Sequence, residues 1–205
     1  MKISVEAVSK RFIHHTIFRN VNLQFNTQES YALLGANGSG KSTLLRIIAG
    51  MQTPSKGKVF YADAGKPVPQ EQVFRQISFC APGMELIEEM TLTEVLQFHF
   101  SFKSILPGLS IARVIELTGL QSAAGKQIGD FSSGMKQRVK LAQAIFSHTP
   151  VLLLDEPCTN LDQQGVQQYT EWMTQYTRER LVIVASNELR EYQFCRHKIH
   201  MTDLQ

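Results

Sequence analysis

The segment GANGSGKST, Gly35–Thr43, constrains this chain more than any other. It follows YALL, a short apolar run of strand character, and precedes STLLRIIAGM, in which Leu44, Leu45, Ile47 and Ile48 recur at helical spacing up to Gly50. Strand, glycine-rich loop, helix is the order in which G-x-x-x-x-G-K-[ST] forms a phosphate cradle. Glycines let the backbone close tightly, so the N–H groups of residues 36 to 42 can converge on phosphate oxygens, and the helix start adds roughly half a positive charge. Gly35, Ala36, Asn37, Gly38, Ser39, Gly40, Lys41, Ser42 and Thr43 are therefore candidate nucleotide contacts. Lys41 is expected to reach the β- and γ-phosphates, Ser42 to place its hydroxyl on Mg²⁺, and Thr43 to take an α-phosphate oxygen.

Two further segments carry chemistry. VLLLDEP, Val151–Pro157, is an apolar run that ends in two acids. Carboxylates where a parallel strand stops lie at the crevice where α/β folds bind ligands. Asp155 is expected to hold Mg²⁺, and Glu156, one residue on, to accept a proton from an attacking water. FSSGMKQR, Phe131–Arg138, places Ser132, Ser133 and Gly134 at the head of a helix. Taken alone those residues suit an ordinary N-cap better than an anion site, although both use a hydroxyl and free N–H groups.

The rest of the chain supplies a core around these segments. With 205 residues, of which 43% are hydrophobic, one compact domain is expected. The net charge of +3 does not call for nucleic acid or a membrane surface as a partner. Cys80, Cys158 and Cys195 are far apart and show no CxxC spacing, which argues against a disulfide framework or zinc site and suits a reducing, cytoplasmic setting. The N-terminus lacks the apolar stretch of a signal peptide, and no run of 18 apolar residues occurs.

Ile3, Val5 and Ala7 alternate as in a strand, as do Val21, Leu23 and Phe25; KVFYA and QISFC look like a further strand pair. Residues 84 to 145 turn helical, with Thr91 and Glu94 as a capping box, and AGKPVPQEQ reads as an exposed loop. VLLLD and LVIVAS are buried strands flanking a helix after Asp162, with Val166, Tyr169, Trp172, Met173 and Tyr176 on one face. The predicted fold is α/β: a P-loop NTPase core with a mostly parallel sheet, N-terminal antiparallel strands and an inserted helical subdomain. Its predicted division is a single domain over 1–205, with a core of about 1–83 and 146–205 and a subdomain of about 84–145.

In the order phosphate loop, FSSGM, LLLDEP, and then Asn160, Leu161 and Asp162, the chain resembles the nucleotide-binding subunit of an ATP-binding-cassette (ABC) transporter over nearly its whole length. FSSGM stands where the family usually has LSGGQ. The resemblance implies a Mg²⁺-dependent ATPase whose cassettes pair head to tail, as homodimer or heterodimer. ATP would then lie between the phosphate loop of one and Ser132 and Gly134 of the other. It implies that Phe12 stacks on adenine. It also implies a membrane-spanning partner seated between Pro82 and about Lys103, so that the chain would lie at the cytoplasmic face of a membrane. GMELIEEMTLTEVLQFHFSFK, within that region, is by composition more simply the core of the helical part, though different residues can serve both purposes.

Two positions depart from the family pattern. Pro82 stands where a glutamine usually touches Mg²⁺ and water, and it has no polar side-chain atom. Asn187, at the end of LVIVAS, stands where a histidine usually contacts the γ-phosphate; an amide can donate a hydrogen bond but carries no charge. A slow ATPase is expected. The pairs His14/His15 and His197/His200 read as surface residues. Two rival readings are an ATP-clamping switch with negligible hydrolysis, and a soluble cassette acting on ribosomes or DNA. The second usually has two cassettes or a long coiled coil, which this chain lacks.

Overall fold

The computed structural model describes residues 1–13 and 15–204; His14 lies outside them, so the histidine pair at 14 and 15 is described only through His15. In chain order, β1 (Lys2–Phe12), β2 (His15–Asn26) and β3 (Ser30–Leu34) lead to α1 (Lys41–Ile48). Then come β4 (Lys56–Asp63), β5 (Lys66–Pro67), α2 (Val73–Gln76) and β6 (Ile77–Cys80). A helical stretch follows, α3 (Leu92–Phe102), α4 (Ile111–Thr118) and α5 (Ser133–Ile145). β7 (Val151–Asp155), α6 (Gln163–Tyr176), β8 (Leu181–Ala185), α7 (Leu189–Tyr192) and β9 (His197–His200) complete the chain.

The strands form two sheets. One is antiparallel, in the order β2-β1-β4-β5; the other is parallel, in the order β6-β7-β8-β3-β9. Successive side chains of the parallel strands point to opposite faces, and both faces are covered. Leu152, Leu154, Val182 and Val184 pack on one side among residues of α3 to α6. Leu153, Ile183, Tyr31 and Leu33 pack on the other, against α1 and the inner face of the antiparallel sheet. This explains why VLLLD and LVIVA read as continuous apolar runs.

The expected alternation of Ile3, Val5 and Ala7 breaks after Val5. The β1–β2 register shifts between Val5 and Val8, Ala7 takes a left-handed φ of 50°, and Val8 fills the next inward slot. The extra residue is a β-bulge, which no pattern of apolar residues signals beforehand. KVFYA and QISFC are both strands but not a pair. β4 joins the antiparallel sheet, whereas β6 forms the edge of the parallel one beside β7. Exposed AGKPVPQEQ contains the two-residue β5 and a turn of 3₁₀ helix at Gln70–Gln72. The capping box is formed: Thr91 N donates to Glu94 Oε2 at 2.8 Å and Glu94 N donates to Thr91 Oγ1 at 3.3 Å.

Candidate functional site

Parallel register brings the chemical segments together. Leu33 of β3 and Asp155 of β7 both pair with Ala185 of β8, the strand between them. The loops after these three strands therefore leave the sheet at one edge, where α/β folds bind ligands. They carry the phosphate loop, Glu156 and Asn187.

Gly40 begins α1 from a left-handed conformation, φ 101°, and a β-carbon there would lie 2.3 Å from Ile17 Cγ2. Any other residue type would be strained at this φ and would have to displace the Ile17 side chain of β2. Lys41 is 4% exposed, and its Nζ donates to the loop's own carbonyls, Gly35 O at 2.6 Å and Ala36 O at 3.2 Å. No carboxylate is among those partners. Ser39 Oγ is buried without a hydrogen-bond partner among the described residues. A cleft of about 180 Å³ lies over the loop, lined by Ile17, Asn37, Gly38, Gly40, Lys41, Ser42, Thr43 and Glu156. A buried cation on neutral acceptors, an orphaned hydroxyl and the start of α1 suit a chain of phosphate oxygens.

Ser42 Oγ donates to Asp155 Oδ1 at 2.9 Å, so the residues expected at the metal already touch. Asp155 is 3% exposed. Burial pushes its carboxyl up; the Ser42 hydrogen bond opposes this, the Glu156 charge adds to it, and Arg46 and Lys41 oppose it. A divalent cation would relieve that cost, so this hydroxyl–carboxylate donor set fits Mg²⁺. Glu156 is half-buried in a left-handed conformation, φ 43°, with its N–H donating to Ala185 O at 2.9 Å. Such a backbone persists where its surroundings hold it, and Glu156 lines the cleft over the loop.

Asn187 is exposed, and its Nδ2 donates to Asn37 Oδ1 of the phosphate loop at 3.0 Å. Pro82 is exposed just beyond β6; its carbonyl accepts from Lys140 Nζ of α5 at 3.1 Å. Phe12 is 46% exposed at the β1–β2 turn, with Lys10 Nζ 4.9 Å from its ring centre. Its ring is half-exposed and lies outside the buried core.

Ser132, Ser133 and Gly134 do not line the cleft. Ser132 caps α5, its hydroxyl accepting from Met135 N at 3.3 Å, and both serines are exposed. A β-carbon on Gly134 would meet Asn160 O at 2.9 Å, which explains the glycine in a helix's first turn. Gln137 Nε2 donates to Pro157 O at 2.7 Å, and Arg138 donates to Asp162 Oδ1 at 2.8 Å. The head of α5 is thus fastened to the segment that follows Glu156. The sequence reading missed Gln137, Lys140, Ser186 and Glu191. Gln137, Lys140 and Glu191 make contacts with segments 20 to 58 residues away, and Ser186 bonds to Glu188 and Glu191 within its own turn; none carries a local pattern that could have announced it.

A phosphate loop after a parallel strand, facing a serine–aspartate pair and a following glutamate, defines a P-loop nucleotide-binding protein. The ABC transporter family model matches residues 18–159, and the chain belongs to that family. It is 33% identical over 197 residues to an uncharacterised ABC transporter ATP-binding protein, YxlF, of Bacillus subtilis, covering 92% of this chain and 63% of that one. It is 34% identical over 188 residues to the sulfate/thiosulfate import ATP-binding protein CysA of Brucella melitensis, covering 84% of this chain and 50% of that one. The chain therefore spans between half and two thirds of those relatives.

Among solved structures, an ATP-binding subunit of an ABC transporter superposes with a TM-score of 0.82 at 25% identity, over 98% of this chain and 85% of that one. The cassette MJ0796, a dimer in a post-hydrolysis state with ADP and Pi, gives 0.82 at 22%, over 97% and 93%. The fold is that of an ABC ATPase core. Among the described residues, no helix is long and apolar enough to cross a membrane.

Proposed function

We propose that the chain is the ATP-hydrolysing subunit of a membrane transporter, working as a slow, Mg²⁺-dependent ATPase. The observation that carries this reading is the meeting of the Ser42–Asp155 hydrogen bond, the buried Lys41 and Glu156 around one cleft. Gly35 to Thr43 would bind the triphosphate of ATP, with Lys41 exchanging its two loop carbonyls for phosphate oxygens. Ser42 and Asp155 would hold Mg²⁺, which when bound neutralises phosphate charge. Glu156 would take the proton of the attacking water onto its carboxylate, a contribution of about 10² to 10⁴ in rate. Phe12 would stack on the base. Asn187 would donate its amide N–H to the terminal phosphate.

Ser132, Ser133 and Gly134 lie away from this cleft, so their part is assigned to ATP held by a second cassette, as homodimer or heterodimer. Dimeric MJ0796 supports that arrangement. The proposed seat of the membrane partner is a cleft of about 270 Å³ that includes Met51, Phe74, Met84 and Lys103. Met51 is 62% exposed and Phe74 60%; Phe102, on neighbouring α3, is 73% exposed, while Leu92, Val95 and Leu96 of that helix are in the core. The segment from Pro82 to Lys103 thus serves both purposes, and exposed apolar side chains in such number suit a protein partner. The chain would then sit at the cytoplasmic face of the membrane. A second reading, an ATP-binding switch with negligible hydrolysis, is favoured by the lack of a polar side chain at Pro82 and of a charge at Asn187.

Titration with millimolar Mg-ATP, followed by single-turnover hydrolysis in wild type and Glu156→Gln, tests the proposal. The expected result is binding by both chains and a rate loss of about 10² to 10⁴ in the variant. Equal rates would leave the switch reading, and no binding to a folded chain would end both.

A further inference from the structure

Glu191 is a carboxylate outside the nucleotide cleft, 3% exposed, to which nothing above gives a task. Its Oε1 accepts from Cys158 N at 2.7 Å, and its Oε2 accepts from Ser186 Oγ. Neither donor is charged, and burial pushes the carboxyl up, opposed by these two hydrogen bonds. A buried carboxylate on neutral donors is a costly way to fill space, since an apolar side chain would fill it without desolvating a charge.

The two donors belong to different loops of the site. Cys158 lies two residues after Glu156, in a turn closed by Thr159 N donating to Glu156 O at 3.2 Å. Ser186 immediately precedes Asn187, and its hydroxyl also accepts from Glu188 N at 2.9 Å, which shapes the turn that presents Asn187 to Asn37. Glu191 itself is fixed from a third element: Tyr169 Oη of α6 donates to its backbone carbonyl at 2.8 Å. The left-handed Glu156 and the exposed Asn187 are thus each one or two residues from a donor to the same carboxylate.

We infer that Glu191 is a positioning residue for the ATPase site, its buried carboxylate fastening the loop that carries Glu156 to the loop that carries Asn187. The inference rests on reading Glu156 as the proton acceptor and Asn187 as a phosphate contact. With the carboxylate gone, the Cys158 amide and the Ser186 hydroxyl lose their shared acceptor, and the two loops, still joined at their bases by Glu156 N donating to Ala185 O, lose the tie beyond that point. A group displaced by about 1 Å from its productive position loses about 10²-fold in rate. The phosphate loop does not touch Glu191, so capture of ATP is preserved.

The test compares the full chain with Glu191→Met, close in size and without acceptors, and Glu191→Gln, which accepts from Cys158 through one oxygen and donates to Ser186 through its amide. Three quantities are measured: kcat, the Kd for Mg-ATP, and amide hydrogen exchange of residues 156–160 and 186–188 without nucleotide. In Glu191→Met, kcat should fall by about 10- to 100-fold with Kd changed less than about threefold, and exchange should accelerate in both segments together. Glu191→Gln should recover most of the rate and protection. Wild-type kcat in the methionine variant, or protection lost in one segment alone, overturns the inference; so does a joint loss of kcat and ATP binding, which marks a merely structural residue. Should the methionine variant not fold, Ser186→Ala decides on the far arm alone: it removes one donor to Glu191 and also the acceptor of Glu188 N, so exchange at 186–188 accelerates in any case, whereas acceleration at 156–160 upholds the inference and unchanged exchange there overturns it. A wild type that binds but does not turn over ATP refutes the ATPase reading, and hydrogen exchange then still decides whether Glu191 ties the loops.

Discussion

Asn187→His asks whether the amide at the phosphate loop limits turnover. In the structure, Asn187 contributes one neutral hydrogen bond, to Asn37 at 3.0 Å, from an exposed side chain. Losing that bond costs about 1 kcal/mol or less, which for a chain of this size moves Tm by at most about 4 °C. The rate effect is larger. Bonds made by neutral groups contribute about 0.5–1.5 kcal/mol and those of charged groups about 1.5–3 kcal/mol. An imidazolium in place of the amide therefore adds about 1 to 1.5 kcal/mol of stabilisation to the charge that develops on the phosphate, or about tenfold in rate. That is below the 10² to 10³ attached to complete removal of a preorganised group, because the amide already donates. Single-turnover phosphate release at saturating Mg-ATP, with the Kd for ATP in parallel, measures it. Turnover that is unchanged or slower while ATP still binds would refute the reasoning. It would mean either that the amide is already sufficient or that position 187 does not face the reacting phosphate.

Two predictions concern groups outside the cleft. Arg180, 5% exposed, donates to Ile145 O at 2.7 Å and Thr149 Oγ1 at 2.8 Å. Arg180→Met leaves those acceptors without their donor and should cost about 2 to 4 kcal/mol, a Tm loss of roughly 4 to 16 °C by thermal unfolding, and a change under 2 °C would contradict it. Lys103, in the apolar cleft, is pulled down to about 8, first by burial and then by the Arg180 charge. The unfolded chain binds the extra proton between about 8 and 10.5, so this group makes stability rise with pH across that window. An NMR titration of isotopically methylated lysines should show one midpoint near 8, and midpoints all above about 9.5 would refute it.

Much of the candidate site was legible in the sequence because its signals are local. GANGSGKST carries its own turn chemistry, VLLLDEP its own buried strand and terminal acids, and Thr91 with Glu94 its own cap. What failed was long-range. The inward slot passed from Ala7 to Val8 at a bulge, and KVFYA and QISFC parted into different sheets. Neither event changes the composition of the segment concerned. Glu191 sits in ELREY, a short segment to which the sequence assigned no role. Its burial follows from the packing of α7 against α6, and its partners are 33 and 5 residues away.

By itself, the amino-acid sequence determined the elements and the chemical groups each could present, since φ preferences, caps and apolar periodicity act over a few residues. Only the tertiary structure decided which ends share an edge. The register of β3, β8 and β7 sets Leu33, Ala185 and Asp155 in one row and so gathers the Gly35–Thr43 loop, Glu156 and Asn187. Pairing between strands more than a hundred residues apart in the chain is settled by burial of both sheet faces at once, a condition no single segment contains.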